Sequence, residues 1–74
     1  MPRKLRELRA DLDQAGFFLD HQTGSHQVWK HALLPGVSAN LAGSDGDDAK
    51  AYQERQVRLA LHRLTEAKQQ GDAQ

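Results

Sequence analysis

The chain has 74 residues, with ten Lys/Arg against ten Asp/Glu, four His, no Cys and a formal net charge of zero. A chain this short makes one domain over 1–74, burying only about 60% of its unfolded surface in a thin core, and it can hold neither a disulfide nor a thiolate zinc site. Neutrality argues against strong non-specific polyanion binding. With no apolar run near the roughly 20 residues of a membrane helix and no signal-peptide pattern at the start, a soluble cytoplasmic protein is expected.

"PRKLRELRADLDQAGF" has Leu5, Leu8, Leu12 and Ala15 at i, i+3, i+7 and i+10, one stripe of an amphipathic helix. Pro2 suits its first turn, and Gly16 stands where a left-handed C-terminal cap belongs. The opposite face carries Arg3, Arg6, Arg9 and Asp13; by itself such a face is a solvated helix surface. "FFLDH" follows, with Phe17, Leu19 and His21 alternating against Phe18 and Asp20 as in a half-buried strand. "QTGS" is a hairpin connection in which Gly24 can take a positive φ.

"HQVWKH" is the second strand, with His26, Val28 and Lys30 on one face and Gln27, Trp29 and His31 on the other. Trp29 belongs in the core, which places His26 on the exposed side unless a bulge intervenes. Pro35-Gly36 fits a type II turn, and Val37, Ala39 and Leu41 share one face of a third strand. In "AGSDGDD" Asp47 or Asp48 is a plausible N-cap for the helix that follows, whose stripe is Val57, Ala60, Leu61 and Leu64, with Tyr52 and Leu59 to one side. The last four residues, "GDAQ", should fray. The layout is α+β, α-β-β-β-α, with a three-stranded antiparallel meander and both helices packed on one face.

The charges are unevenly spread. Residues 1–10 and 49–70 are basic and flank an acidic stretch at 45–48, so two basic helices could still cradle a phosphate backbone. The aspartates with glycines resemble a calcium loop only loosely, because the alternating ligands and final glutamate are missing. A solvated, helix-capping loop accounts for them better, and no metal or other cofactor is expected.

Among the histidines, His62 reads as helix surface, His21 as a hairpin-edge residue and His31 as a partly buried, hydrogen-bonded ring beside a turn. His26 stands apart. Histidine is the side chain whose ordinary pKa suits proton transfer near neutral pH. This one follows Gly24, where a ligand can approach the backbone, and Ser25, which adds a hydroxyl; Lys30 lies two side chains further along the same face.

The stretch "LRADLDQAGFFLDHQTGSHQVWKH" resembles the N-terminal two thirds of the HicA toxins, small bacterial mRNA interferases of type II toxin–antitoxin systems. The shared pattern is a helix ending in "AGF", a strand, "GSH", and a second strand ending in histidine, followed by a third strand. The resemblance implies a double-stranded-RNA-binding-domain-like fold, the same α-β-β-β-α order reached from the residues. It matches His26 to the family's catalytic histidine, Gly24 to its hairpin glycine and His31 to a recurrent structural histidine. Many members follow the third strand with a proline, a histidine and a short helix. Here "LAGSDGDDAKAYQERQV" leads into a longer helix, similar to a subgroup carrying "GDDAK.YQE".

What the resemblance implies for chemistry is metal-independent cleavage of mRNA, the ribose 2′-OH attacking the adjacent phosphorus with His26 as general base or general acid. Arg6, Arg9 or Lys30 would hold the phosphate, with the Gly24 and Ser25 amides as further donors. The implied protein partner is a HicB-type antitoxin. Two other classes remain open on the residues alone: a non-catalytic RNA-binding module, and a small protein-interaction domain of the same fold.

Overall fold

The computed structural model describes residues 2–72, with side chains described through Gln69. The elements are α1 (Leu5–Gln14), β1 (Phe18–Thr23), β2 (His26–His31), β3 (Leu34–Ala42) and α2 (Ala51–Asp72). The strands form one antiparallel sheet in the order β1-β2-β3. This is an α+β fold with both helices against one face, where Leu5, Leu8, Leu12, Phe17, Ala39, Leu41, Val57, Ala60 and Leu64 make a single core. No helix among the described residues is long and apolar enough to cross a membrane.

The stripe of α1 buries as its spacing requires, and Gly16 takes the left-handed conformation after the helix, at φ +95. The start of α1 departs from expectation. Pro2 lies ahead of the helix, which begins at Leu5. Its first amides are satisfied from across the chain: Leu5 N–H donates to Asp47 O (2.9 Å) and Arg6 N–H to Asp45 O (3.1 Å). The acidic loop therefore caps α1, not α2. Neither Asp47 nor Asp48 caps the second helix; Lys50 precedes it, and its N–H donates to Gln53 Oε1 at 2.8 Å. Asp47 folds the loop by accepting the Ser44 N–H (2.9 Å).

The hairpin between β1 and β2 turns on Gly24-Ser25, with Gly24 at φ +60 and Ser25 not positive, the pattern of a type II′ turn. The second turn differs from the type II turn expected at Pro35-Gly36. His31 pairs with Leu34, so the turn is Ala32-Leu33, and Pro35-Gly36 lie in β3 where its pairing with Lys30 and His31 is interrupted. Gly36 has no positive φ, which a type II turn demands. Two contacts drive the change: Leu34 is drawn into the core, and His31 Nδ1 accepts the Leu33 N–H at 3.0 Å. β3 is an edge strand, so a proline without an N–H is tolerated at its irregularity.

That edge is itself covered. The Gln56 side chain accepts the Asn40 N–H (2.9 Å) and donates to Asn40 O (2.7 Å), and buried Gln53 donates to Ala42 O (3.1 Å). Two glutamines of α2 thus satisfy backbone groups that an edge strand would leave open. At its other end α2 runs through Asp72, past Gly71, where fraying is expected; residues 73–74 lie outside the described residues.

Candidate active site

His26 opens the central strand, its backbone held between Thr23 on β1 and Ala42 on β3. Its side chain is exposed and, among the described residues, makes no hydrogen bond. It stands on the face away from the helices, with Val28 and Lys30, as alternation predicts, because Trp29 packs against the core. Gly24 beside it has open space where a Cβ would project, so only its φ requires glycine and the turn is accessible from outside. Ser25 is likewise exposed.

The bulge that alternation leaves out occurs one strand away. Leu19 pairs with Trp29, but His21 pairs with Val28, so Asp20 is an extra residue in β1. One inserted residue reverses the facing of everything after it. His21, expected on the Leu19 side, stands instead on the open face with Val28, diagonal to His26, at roughly 7 Å by ordinary sheet geometry.

The bulge also gives His21 a partner. Its Nδ1 lies 2.8 Å from Asp20 Oδ2. Against a carboxylate this nitrogen is the donor, which directs Nε2 away from Asp20. The same carboxylate receives Lys30 Nζ at 3.7 Å. The hydrogen bond from His21, aided by the Lys30 charge, holds the Asp20 carboxyl below the usual carboxylate range. Adjacent Asp20 and His21 are visible in the sequence, but their meeting on the face of His26 is not.

The expected phosphate donors are dispersed. Lys30 shares the face of His26, but four residues along a strand place their Cα atoms about 13 Å apart, with Val28 between. Arg9 is engaged by the acidic loop: Nη1 donates to Asp45 Oδ1 (2.5 Å) and Nη2 to Gly43 O (2.7 Å), leaving its side chain 11% exposed. Arg6 is exposed on α1, in the layer that covers the other side of the sheet, and no ion pair among the described residues ties it to the His26 face.

The other histidines have different surroundings. His31 is wedged at the end of α1, its ring edge-on to Phe17 (centroids 5.0 Å apart, planes at 72°) and its Nε2 3.1 Å from where a Gly16 Cβ would lie. This is the hydrogen-bonded, partly buried ring expected of it. His62 is surface on α2, 3.6 Å from Glu66. Among the described residues no three His, Asp or Glu side chains converge in a metal-binding cluster.

The chain matches no protein-family model, no curated protein and no solved structure.

Proposed function

We propose that this chain is a metal-independent endoribonuclease, an mRNA interferase toxin of the HicA kind, with His26 as its acid–base group. The observation that carries the reading is the rigid, uncovered position of His26 joined on one face by the Asp20–His21 pair. The "AGF…GSH…H" pattern and the α-β-β-β-α order support it.

Cleavage needs a base and an acid on either side of one phosphorus. The 2′-oxygen attacks that phosphorus as its proton passes to one imidazole. The P–O5′ bond breaks as the second imidazole gives a proton to the leaving oxygen, leaving a 2′,3′-cyclic phosphate and a 5′-hydroxyl. His26 takes one of these parts and His21 the other, with Asp20 orienting the His21 ring. Lys30 and the Ser25 amide offer positive and hydrogen-bonding groups to the phosphoryl oxygens. A face with few free cations suits a slow nuclease that acts by arresting translation in the cytoplasm. A HicB-type antitoxin would silence it by covering His26.

The test is induced expression of wild type and His26→Ala, following growth and RNA integrity, with circular dichroism of both purified proteins. Growth arrest and RNA loss confined to wild type, and cleavage in vitro that persists in EDTA, support the reading. Equal behaviour of two folded proteins refutes the His26 mechanism and favours a non-catalytic RNA-binding module.

A further inference from the structure

The neutral composition conceals a separation of charge. Around α1 most charges are matched: Arg3 pairs with Glu7 and Asp11, Lys4 with Asp48, and Arg9 with Asp45, while Arg6 and Asp13 make no ion pair among the described residues. On the open sheet face Asp20 takes His21 and Lys30. α2 is different. Arg55, Arg58 and Arg63 are exposed and make no ion pair among the described residues, where the one bridge on this helix is His62 to Glu66. Among the described residues unpaired arginines are thus most numerous on α2, with Arg6 the one on α1.

The same helix is apolar on two sides. Gln53, Val57, Ala60 and Leu64 face the core. Tyr52, Arg55, Leu59 and His62 follow i, i+3, i+7 and i+10 on the opposite side, where they line a shallow depression with Gln56 and Arg58. Tyr52 is 52% exposed and Leu59 54% exposed, although a helix with one buried stripe needs no large apolar groups on its back.

Three occupants can be weighed by chemistry. A second copy in symmetric contact would set Arg55 and Arg58 against basic groups of the same kind. RNA would engage the arginines and stack on Tyr52, but an aliphatic Leu59 adds less to a base face than to a packed apolar side chain. An acidic amphipathic helix satisfies both features, with apolar side chains seated between Tyr52 and Leu59 and carboxylates meeting Arg55 and Arg58. We propose that the outward stripe of α2 is a docking surface for an acidic amphipathic helix of a partner protein. His26 lines no part of this depression, so the inference stands apart from the nuclease reading.

The probe is a set of three synthetic acidic amphipathic helical peptides differing in the register of their apolar residues, with a scrambled peptide as control. Binding to the full chain is followed by fluorescence anisotropy and by amide chemical shifts. At least one peptide should bind, with shifts centred on Tyr52–His62. Arg55→Glu with Arg58→Glu should weaken binding by about tenfold or more, and Leu59→Asp should weaken it comparably; circular dichroism checks that both variants stay folded. RNA cleavage should be unchanged in both variants, which separates this result from the fate of the His26 mechanism. Failure of all three peptides, equal binding of the scrambled peptide, or binding indifferent to these substitutions would overturn the proposal. Self-association abolished by Leu59→Asp would overturn it in favour of a second copy, and single-stranded RNA shifting the same amides in favour of a nucleic-acid surface.

Discussion

His26 and His31 bound the same strand and have opposite fates. At one end the ring stands free beside a glycine turn, on a backbone paired from both sides. At the other it fills the angle between Gly16, Phe17 and the Ala32-Leu33 turn, accepting a backbone N–H and meeting an aromatic edge. An odd spacing within a strand puts the two on different faces, and only one of those faces has helices against it. A histidine whose ring is occupied by the fold is structure; a histidine with its backbone paired on both sides and its ring exposed is available for chemistry.

Substitutions at the two ends should therefore have opposite signatures, and exchanging them is the strongest way to break the comparison. His26→Ala should lower RNA cleavage by about 10²–10⁴-fold and leave the melting temperature in place. His31→Ala should cost about 1–2 kcal/mol, from the lost aromatic edge and the lost hydrogen bond to the exposed Leu33 N–H, read by urea denaturation, with cleavage by the remaining folded protein preserved. If His31→Ala removed cleavage at full stability, the assignment of the two ends would be wrong.

A step smaller is the effect expected from the bulge. Asp20→Asn should reduce cleavage by about 10–100-fold, because the amide no longer fixes the His21 imidazole in its acid–base role, while His26 stays in place. The pH dependence gives a second check. The Asp20 carboxyl is held below its usual range by the His21 hydrogen bond and the Lys30 charge. A depressed carboxyl adds stability above the unfolded value of about 3.9 and loses it as pH falls through the lowered folded value. A carboxyl ¹³C titration should show Asp20 titrating below the usual aspartate range, and His21→Ala should move it upward.

The glycines at the two ends of the acidic loop and the hairpin sharpen the contrast in stability. A Cβ at Gly43, where φ is +124, would lie 2.7 Å from Leu5 Cδ1. Gly43→Ala should then cost about 2–4 kcal/mol by combining backbone strain with overpacking. Gly24→Ala meets open space and should cost only the left-handed penalty of about 1–2 kcal/mol, both measured by thermal melts. Smallest of all, Gln56→Ala should cost about 0.5–1.5 kcal/mol by uncovering Asn40 on the β3 edge, with faster amide exchange at Asn40 as its local sign.

Much of this was legible in the residues. The leucine stripe of α1, the alternation of Val37, Ala39 and Leu41, the glycine turn at Gly24 and the facing of His26 all follow from short-range periodicity. What periodicity missed lies where distant contacts overrule it. Pro35-Gly36 reads as a turn, yet burying Leu34 and satisfying Leu33 through His31 moved the turn three residues earlier. The aspartates of 45–48 read as a cap for the helix that follows them, but they close over α1, through contacts such as Arg9 to Asp45, 36 residues apart. The arginines of α1 read as phosphate ligands, and one of them serves that loop.

The sequence by itself determined the order and kind of the elements, the side of each that is buried, and the exposure of His26. These depend on side-chain spacing against the fixed repeats of helix and strand, which any short window contains. Only the tertiary structure decided that Asp20 bulges, that His21 thereby joins His26, and which charges are left unmatched on α2. Each of these is set by pairing between segments far apart in the chain, where one inserted residue or one cross-chain ion pair changes the outcome without altering the local pattern.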